Sequence, residues 1–235
     1  MTISRPRVWI LFVLWLGAIA LAMTIDRPVA QWVQENRPLD QRTSIAHRSG
    51  NHPIWLTKIV RLPGNYGFVL PVGIVIGLFH RKRWIAAAPI LLSGPLVGVT
   101  YLVIKWMVGR RRPVIELAPF TFHPFINGIS GLFKSVSGLA FPSGDATMAF
   151  AAAACMAVAI PQWTAAFFAW AVLVSVERVL ENAHYVSDVV AGAGLGVLCA
   201  LTAVLISKKI FSVPESHGFE VSNPRAAPEN SQLAE

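Results

Sequence analysis

The chain has 235 residues, 54% of them hydrophobic and 14% charged, against about 25% charged in soluble domains, which excludes an ordinary soluble protein. The charges are lopsided, with 20 Lys and Arg against 12 Asp and Glu and a formal net charge of +8. Several of the cations interrupt apolar runs and do not line polar elements, which argues against nucleic acid and for phosphate-bearing lipid or a membrane surface. Cys155 and Cys199 sit inside apolar stretches and read as small buried apolar side chains with no chemical role.

A helix needs roughly 20 mostly apolar residues to cross a bilayer core about 30 Å thick. Six runs approach that size: residues 8–25 behind Arg5 and Arg7, 62–79 ending at His80-Arg81-Lys82-Arg83, 85–107, the run from Pro142-Ser143-Gly144-Asp145 to Ile160, 163–176, and 186–206 ending at Lys208-Lys209. Pro161-Gln162 makes the fourth and fifth an antiparallel pair. The first run has 18 residues, longer than the roughly 7–15 of a signal-peptide core, and is expected to be an anchor and not a cleaved leader. Gly192 and Gly196 form a GxxxG in the sixth run, a device for close helix packing.

Six spans place both termini on one side, and the clusters at Arg5/Arg7, Arg81 to Arg83 and Lys208/Lys209 share it, so the termini are expected in the cytoplasm. Trp9, Trp84 and Trp163 then mark the inner boundary, and Trp32, Trp55 and Trp106 the outer one. Residues 26–65 disagree, because they are predicted outside yet carry Arg27, Arg37, Arg42, Arg48, Lys58 and Arg61. Residues 114–141, with Phe120, Phe122, Phe125, Phe133 and Phe141, read as an outer loop lying on the membrane interface. The expected organisation is an N-terminal anchor and polar segment over 1–61, a helical core over 62–206, and a Pro-, Ser-, Asn- and Glu-rich disordered tail over 207–235.

Three polar clusters fall at the outer ends of these spans. Lys105 and Gly109-Arg110-Arg111-Arg112-Pro113 put four cations within eight residues, either as a snorkelling anchor or as a grip for an anion such as phosphate. Phe141-Pro142-Ser143-Gly144-Asp145 is a helix start; it is a plain cap or, through its free N–H groups and the Ser143 hydroxyl, an anion site. Glu177-Arg178-x5-His184-x3-Asp188 sets a carboxylate four residues after a histidine, where it can fix one ring nitrogen and leave the other to attack, or make only a structural contact. Arg178 adds a guanidinium fork that matches phosphate oxygens.

Taken together, Lys105-x6-Arg112-Pro113, Pro142-Ser143-Gly144 and Arg178-x5-His184-x3-Asp188 resemble the three-part signature of the type 2 phosphatidic acid phosphatase (PAP2) superfamily, KxxxxxxRP, PSGH and SRxxxxxHxxxD. Nine of its eleven specified positions match, in order and at the same internal spacing. The six runs and their topology give an expected all-α integral membrane protein with six transmembrane helices and its site at the outer face. The resemblance implies His184 as the nucleophile forming a phosphohistidine, Asp188 as its orienting partner, and Lys105, Arg112, Arg178, Ser143 and the Gly144 amide as holders of the phosphoryl oxygens. No metal or other cofactor is implied.

Two positions depart from the pattern: Asp145 stands where the family has its general-acid histidine, and Glu177 where it has a serine. The helix N-terminus and nearby cations favour ionised Asp145, a poor proton donor, while burial in the membrane opposes this. A weak acid favours leaving groups that need little protonation, such as a lipid monophosphate released from a diphosphate or a sugar released from an anomeric phosphate. The expected function is therefore a phosphatase of the cell's inner membrane acting on a polyprenyl diphosphate or a lipid A-type phosphate, with Asp145 as base for the hydrolytic water. The alternatives are a lipid phosphotransferase using the same phosphohistidine and a catalytically weak lipid-phosphate binding or transport protein.

Overall fold

The computed structural model describes residues 5–36, 58–80, 83–126, 128, 131 and 138–211. Arg37, Arg42, Arg48, Trp55, Arg81, Lys82, Phe133 and the tail after Phe211 lie outside the described residues. Among the described residues six helices carry the fold: α1 (Arg5–Asn36), α2 (Tyr66–Phe79), α3 (Arg83–Val108), α4 (Gly144–Ala159), α5 (Thr164–Leu180) and α6 (Val186–Phe211). Short 3₁₀ turns at Leu62–Gly64 and Pro161–Trp163 precede α2 and α5.

Among the described residues four stretches are long and apolar enough to cross a membrane: Trp9–Asn36, Trp84–Val108, Pro161–Leu180 and Val186–Phe211. The other two of the six expected spans are shorter, at 14 residues for α2 and 16 for α4. At 1.5 Å per residue they rise about 21 and 24 Å, less than the bilayer core. Pro161 stops α4 at one end and the Ser143 cap fixes it at the other. That short helix is the centre of the bundle, with Ala146, Ala149, Ala151 and Ala152 fully buried between α3, α5 and α6. Being wrapped in protein, it need not match the lipid thickness.

The first helix differs from its expected end at Ile25 by continuing through Pro28 to Asn36. Hydropathy alone ends the run, but packing extends it: Ala30 and Val33 are buried, and Gln34 Nε2 donates to the Pro113 carbonyl at 3.0 Å. Trp15 Nε1 also donates to the Val190 carbonyl at 3.1 Å, tying α1 to α6. Val69, Ile90, Val97, Met148, Cys155, Leu195 and Cys199 form the main apolar core, so both cysteines are the buried free thiols expected. Trp9, Leu11, Leu14, Val99 and Leu205 point outward, as a lipid-facing surface requires.

The GxxxG of α6 performs its expected packing role. A Cβ on Gly196 would meet the Thr147 carbonyl oxygen at 2.3 Å, and one on Gly192 the Ser143 carbonyl oxygen at 2.7 Å, so only glycine lets α6 lie this close to α4. This contact brings the first turns of both helices together. Since each helix reverses direction relative to the last, the C-terminal part of α1, the turn before α2, the end of α3, the start of α4, the end of α5 and the start of α6 share one end of the bundle, and Lys208 and Lys209 end α6 away from it.

Candidate active site

All eight residues expected at the site meet at that end. Lys105, in the last turn of α3, is buried and donates from Nζ to the Leu139 carbonyl at 2.7 Å. Just beyond it, Gly109 takes φ +64°, where an added Cβ would strike the His123 carbonyl oxygen at 1.8 Å, so the chain turns there only as glycine. The turn sends residues 110–112 between two neighbours: Ala140 donates to the Arg110 carbonyl at 2.7 Å and Arg112 to the Gly138 carbonyl at 3.2 Å. Arg112 Nε then reaches the same Leu139 carbonyl at 3.3 Å, which gathers both motif cations around one oxygen. Burial pulls Arg112 below the ordinary arginine value, partly offset by Asp145 and Asp188. Phe120, Phe122 and Phe125 are exposed on the loop that follows, consistent with an interfacial loop.

Ser143 is the N-cap of α4, with Oγ accepting from the Ala146 amide at 3.4 Å. Its own amide donates to the Asp188 carbonyl at 3.0 Å, joining the starts of α4 and α6. Gly144 opens the helix beside the Tyr101 ring, 3.5 Å from where a Cβ would sit, and Asp145 follows in the first turn.

The end of α5 is a Schellman turn: Ala183 donates to the Arg178 carbonyl at 3.2 Å, and Asn182, at φ +53°, to the Val179 carbonyl at 2.8 Å. Asn is among the few non-glycine residues that tolerate this left-handed position. The turn fixes Arg178 in the last coil of α5 and delivers His184 to the start of α6. There Asp188 does not share a helical face with His184 as the spacing suggested, because α6 begins only at Val186. Instead Asp188, in the first turn, folds back so that Oδ2 accepts from the Tyr185 amide at 2.8 Å, half of a capping box. The same oxygen lies 3.6 Å from His184 Nδ1, an orienting approach longer than a formed hydrogen bond; catalytic contacts of this kind commonly tighten when substrate binds. Burial, then Lys105 and Arg112, hold the His184 ring well below the ordinary histidine range against a hydrogen bond to the Ala140 backbone, with Arg61 adding to the downward pull. The ring is neutral at pH 7, the form a nucleophile needs.

Arg178 sits among carboxylates: Nη1 donates to Asp145 Oδ2 at 3.0 Å, Nε to Glu177 Oε2 at 2.9 Å, and Nη2 to Glu181. Arg61, from the turn before α2, completes this group, with Nε 3.0 Å from Glu177 Oε1 and Nη2 on Glu181. The Leu62–Gly64 turn is seated directly on Asp145, since a Cβ on Gly64 would lie 3.0 Å from the Asp145 carbonyl oxygen. The site thus contains an array of two guanidinium and three carboxyl groups that sequence reasoning resolved only in part. Arg61 and Glu181 were missed, and so were the roles of Arg110 and Asp26, both fully buried and 2.7 Å apart. An Asp within an apolar span was the available signal for Asp26; no spacing rule pointed to Arg61. Among the described residues no group of three or more His, Cys, Asp or Glu side chains has the geometry to hold a metal ion.

A buried imidazole approached by a carboxylate, a buried lysine and a half-buried arginine on one carbonyl, and a capped helix start come together at one end of a helical membrane protein. A model of the PAP2 superfamily matches residues 84–212, more than half of the chain, and the chain belongs to that superfamily. The chain is 35% identical over 131 residues to a lipid A 1-phosphatase of Rhizobium johnstonii, covering 53% of this chain and 49% of that one. It is 33% identical over 128 residues to a lipid A 1-phosphatase of Rhizobium etli, covering 52% and 50%. The chain spans about half the length of these curated relatives. Its fold is similar to that of the transmembrane PAP2-type phosphatidylglycerolphosphate phosphatase of Bacillus subtilis, with a TM-score of 0.53 and 23% identity over 85% of this chain and 95% of that one.

Proposed function

We propose that the protein is a membrane-embedded lipid phosphatase that transfers the phosphoryl group of its substrate to His184 and then to water. The observation that carries this reading is the meeting of neutral His184, Asp188, Lys105, Arg112, Ser143, Gly144 and Arg178 at one end of the bundle. A His184 nitrogen attacks phosphorus, the bond to the leaving oxygen breaks, and Lys105 and Arg112 offset the charge on the equatorial oxygens. Asp188 stabilises the imidazole as it gains positive character. Water then attacks the phosphohistidine, and Asp145, which accepts a hydrogen bond from Arg178, takes its proton.

The substrate follows from the leaving group. On this reading Asp145, whose Oδ2 accepts from Arg178 Nη1, serves as base and not as acid, so the reading favours a phosphate on the anomeric carbon of a lipid A-type sugar or the terminal phosphate of a polyprenyl diphosphate, both of which leave more readily than an alkoxide. The names of the two Rhizobium relatives support the first. The basic ends at Lys208 and Lys209 support placing the termini in the cytoplasm and the site at the outer face of the inner membrane.

The test is phosphate release by the purified full chain from lipid A, a polyprenyl diphosphate and phosphatidic acid, with and without EDTA. The expected result is chelator-resistant release from one of the first two, a trappable phosphohistidine, and loss of both in His184→Ala. Preference for phosphatidic acid overturns the leaving-group argument. Transfer of the phosphate to a second lipid makes the protein a phosphotransferase, and turnover surviving His184→Ala overturns the nucleophile.

A further inference from the structure

One fully buried acid has no part in the chemistry above. Asp26 lies in the apolar length of α1, ahead of the region that the PAP2 model matches. A carboxylate there is costly unless paired and hydrogen-bonded. Its Oδ2 accepts from Arg110 Nη2 at 2.7 Å and from Ser187 Oγ at 2.5 Å, and its Oδ1 accepts from the Ser187 amide at 2.9 Å. Arg110, itself fully buried and stacked 4.1 Å over the Tyr185 ring, turns its other terminal nitrogen to Asp188, with Nη1 2.6 Å from Oδ1.

We propose that Asp26 is a positioning residue for the reaction, acting on His184 through Arg110 and Asp188; the inference rests on the reading of His184 as nucleophile. A guanidinium fork facing a lone carboxylate takes both of its oxygens. Asp26 prevents this by occupying Nη2, so Arg110 holds only Oδ1 of Asp188 and Oδ2 stays with the Tyr185 amide and the His184 ring. Without Asp26, Asp188 is drawn towards Arg110 and the imidazole loses its orientation.

The experiment is a double-mutant cycle on the purified full chain, reading phosphate release from lipid A and from a polyprenyl diphosphate. Asp26→Asn is expected to lower kcat about 10- to 100-fold, as loss of an outer partner of a reactive histidine commonly does, with KM changed by less than about threefold. In an Asp188→Asn background the same change is expected to cost less than about threefold, because its route to His184 is already cut. Losses that multiply across the two sites, or an unaltered kcat in Asp26→Asn, overturn the inference. Should Asp26→Asn fail to give a monodisperse protein, Ser187→Ala decides: it deletes the hydroxyl's bonds to Asp26 and to Arg110 Nη1, the two partners of the proposed relay, without a charge change, and is expected to lower kcat about three- to tenfold with the same non-additivity against Asp188→Asn. His184→Ala separates the two readings. Turnover that survives it removes the nucleophile itself, while His184-dependent turnover with multiplying losses removes only the role of Asp26.

Discussion

Arg178 Nη1 donates to Asp145 Oδ2 at 3.0 Å, so a motif guanidinium expected to grip phosphate is held by the very residue that replaces the family's acid. With Glu177 and Glu181 on its other nitrogens, Arg178 reaches the substrate only by exchanging a carboxylate for a phosphoryl oxygen. Asp145→Asn weakens the competitor and removes the base. The expected result is a KM lower by about threefold, from a less occupied Arg178, and a kcat lower by about 10²- to 10⁴-fold, from the lost proton acceptor. Phosphohistidine should accumulate in a single turnover, measured by rapid quench. Asp145→His supplies an acid and should raise turnover of phosphatidic acid relative to lipid A; equal changes on both lipids would sink the leaving-group argument.

Arg61 is expected to matter although it belongs to none of the three motifs. It shares Glu177 and Glu181 with Arg178, and without it one guanidinium serves three carboxyl groups. Arg61→Gln should lower kcat/KM by about tenfold, mostly through KM, since the carboxylates then hold Arg178 more tightly against phosphate. A steady-state comparison on one lipid substrate checks this, and an unchanged KM would refute it.

The helices and the motif residues that gather at one end of the bundle were legible because both are written in short-range patterns. Apolar runs located the helices, and the spacings Lys105 to Arg112 and His184 to Asp188 lie within single turns or loops. What brings Asp26 to Ser187 and Arg61 to Glu177 is tertiary packing across more than a hundred residues of sequence. No local period encodes such pairs. Arg110 was visible as one of four cations but not as the only one of them that is fully buried, because burial at residues 109–112 depends on the Gly109 turn and on the chain at 138–140. The helix ends erred in the same way: hydropathy ended α1 at Ile25, while buried Ala30 and Val33 carry it to Asn36.

The pH profile should report the buried histidine. The neutral ring persists below its ordinary value near 6.5, so the acid limb of kcat/KM should lie below pH 6.5 and activity should hold as pH falls from 7 to 6. Arg61 is one of the cations that push the ring down, so Arg61→Gln should move that limb upward by about half a pH unit. The sign for stability agrees. The folded state binds this proton less readily than the unfolded chain, so His184 takes stability away only as pH drops below about 6.5 and has no effect above it. A diphosphate substrate and a monophosphate substrate should share the limb if His184 sets it.

The Arg110 bridge also makes a stability prediction separate from catalysis. Its guanidinium is the sole cation hydrogen-bonded to Asp26 and Asp188 among the described residues, and all three side chains are fully buried. Arg110→Met leaves two carboxylates facing each other without a counter-charge, a loss expected to cost about 3–5 kcal/mol. Arg110→Met combined with Asp26→Asn and Asp188→Asn replaces the charges with neutral groups and should recover much of that loss, while activity stays low because Asp188 no longer supports His184. Thermal unfolding in detergent, followed alongside phosphate release, measures the two effects separately. A single Arg110→Met variant as stable as the unaltered protein would mean that the carboxylates are already neutral and the bridge carries no charge.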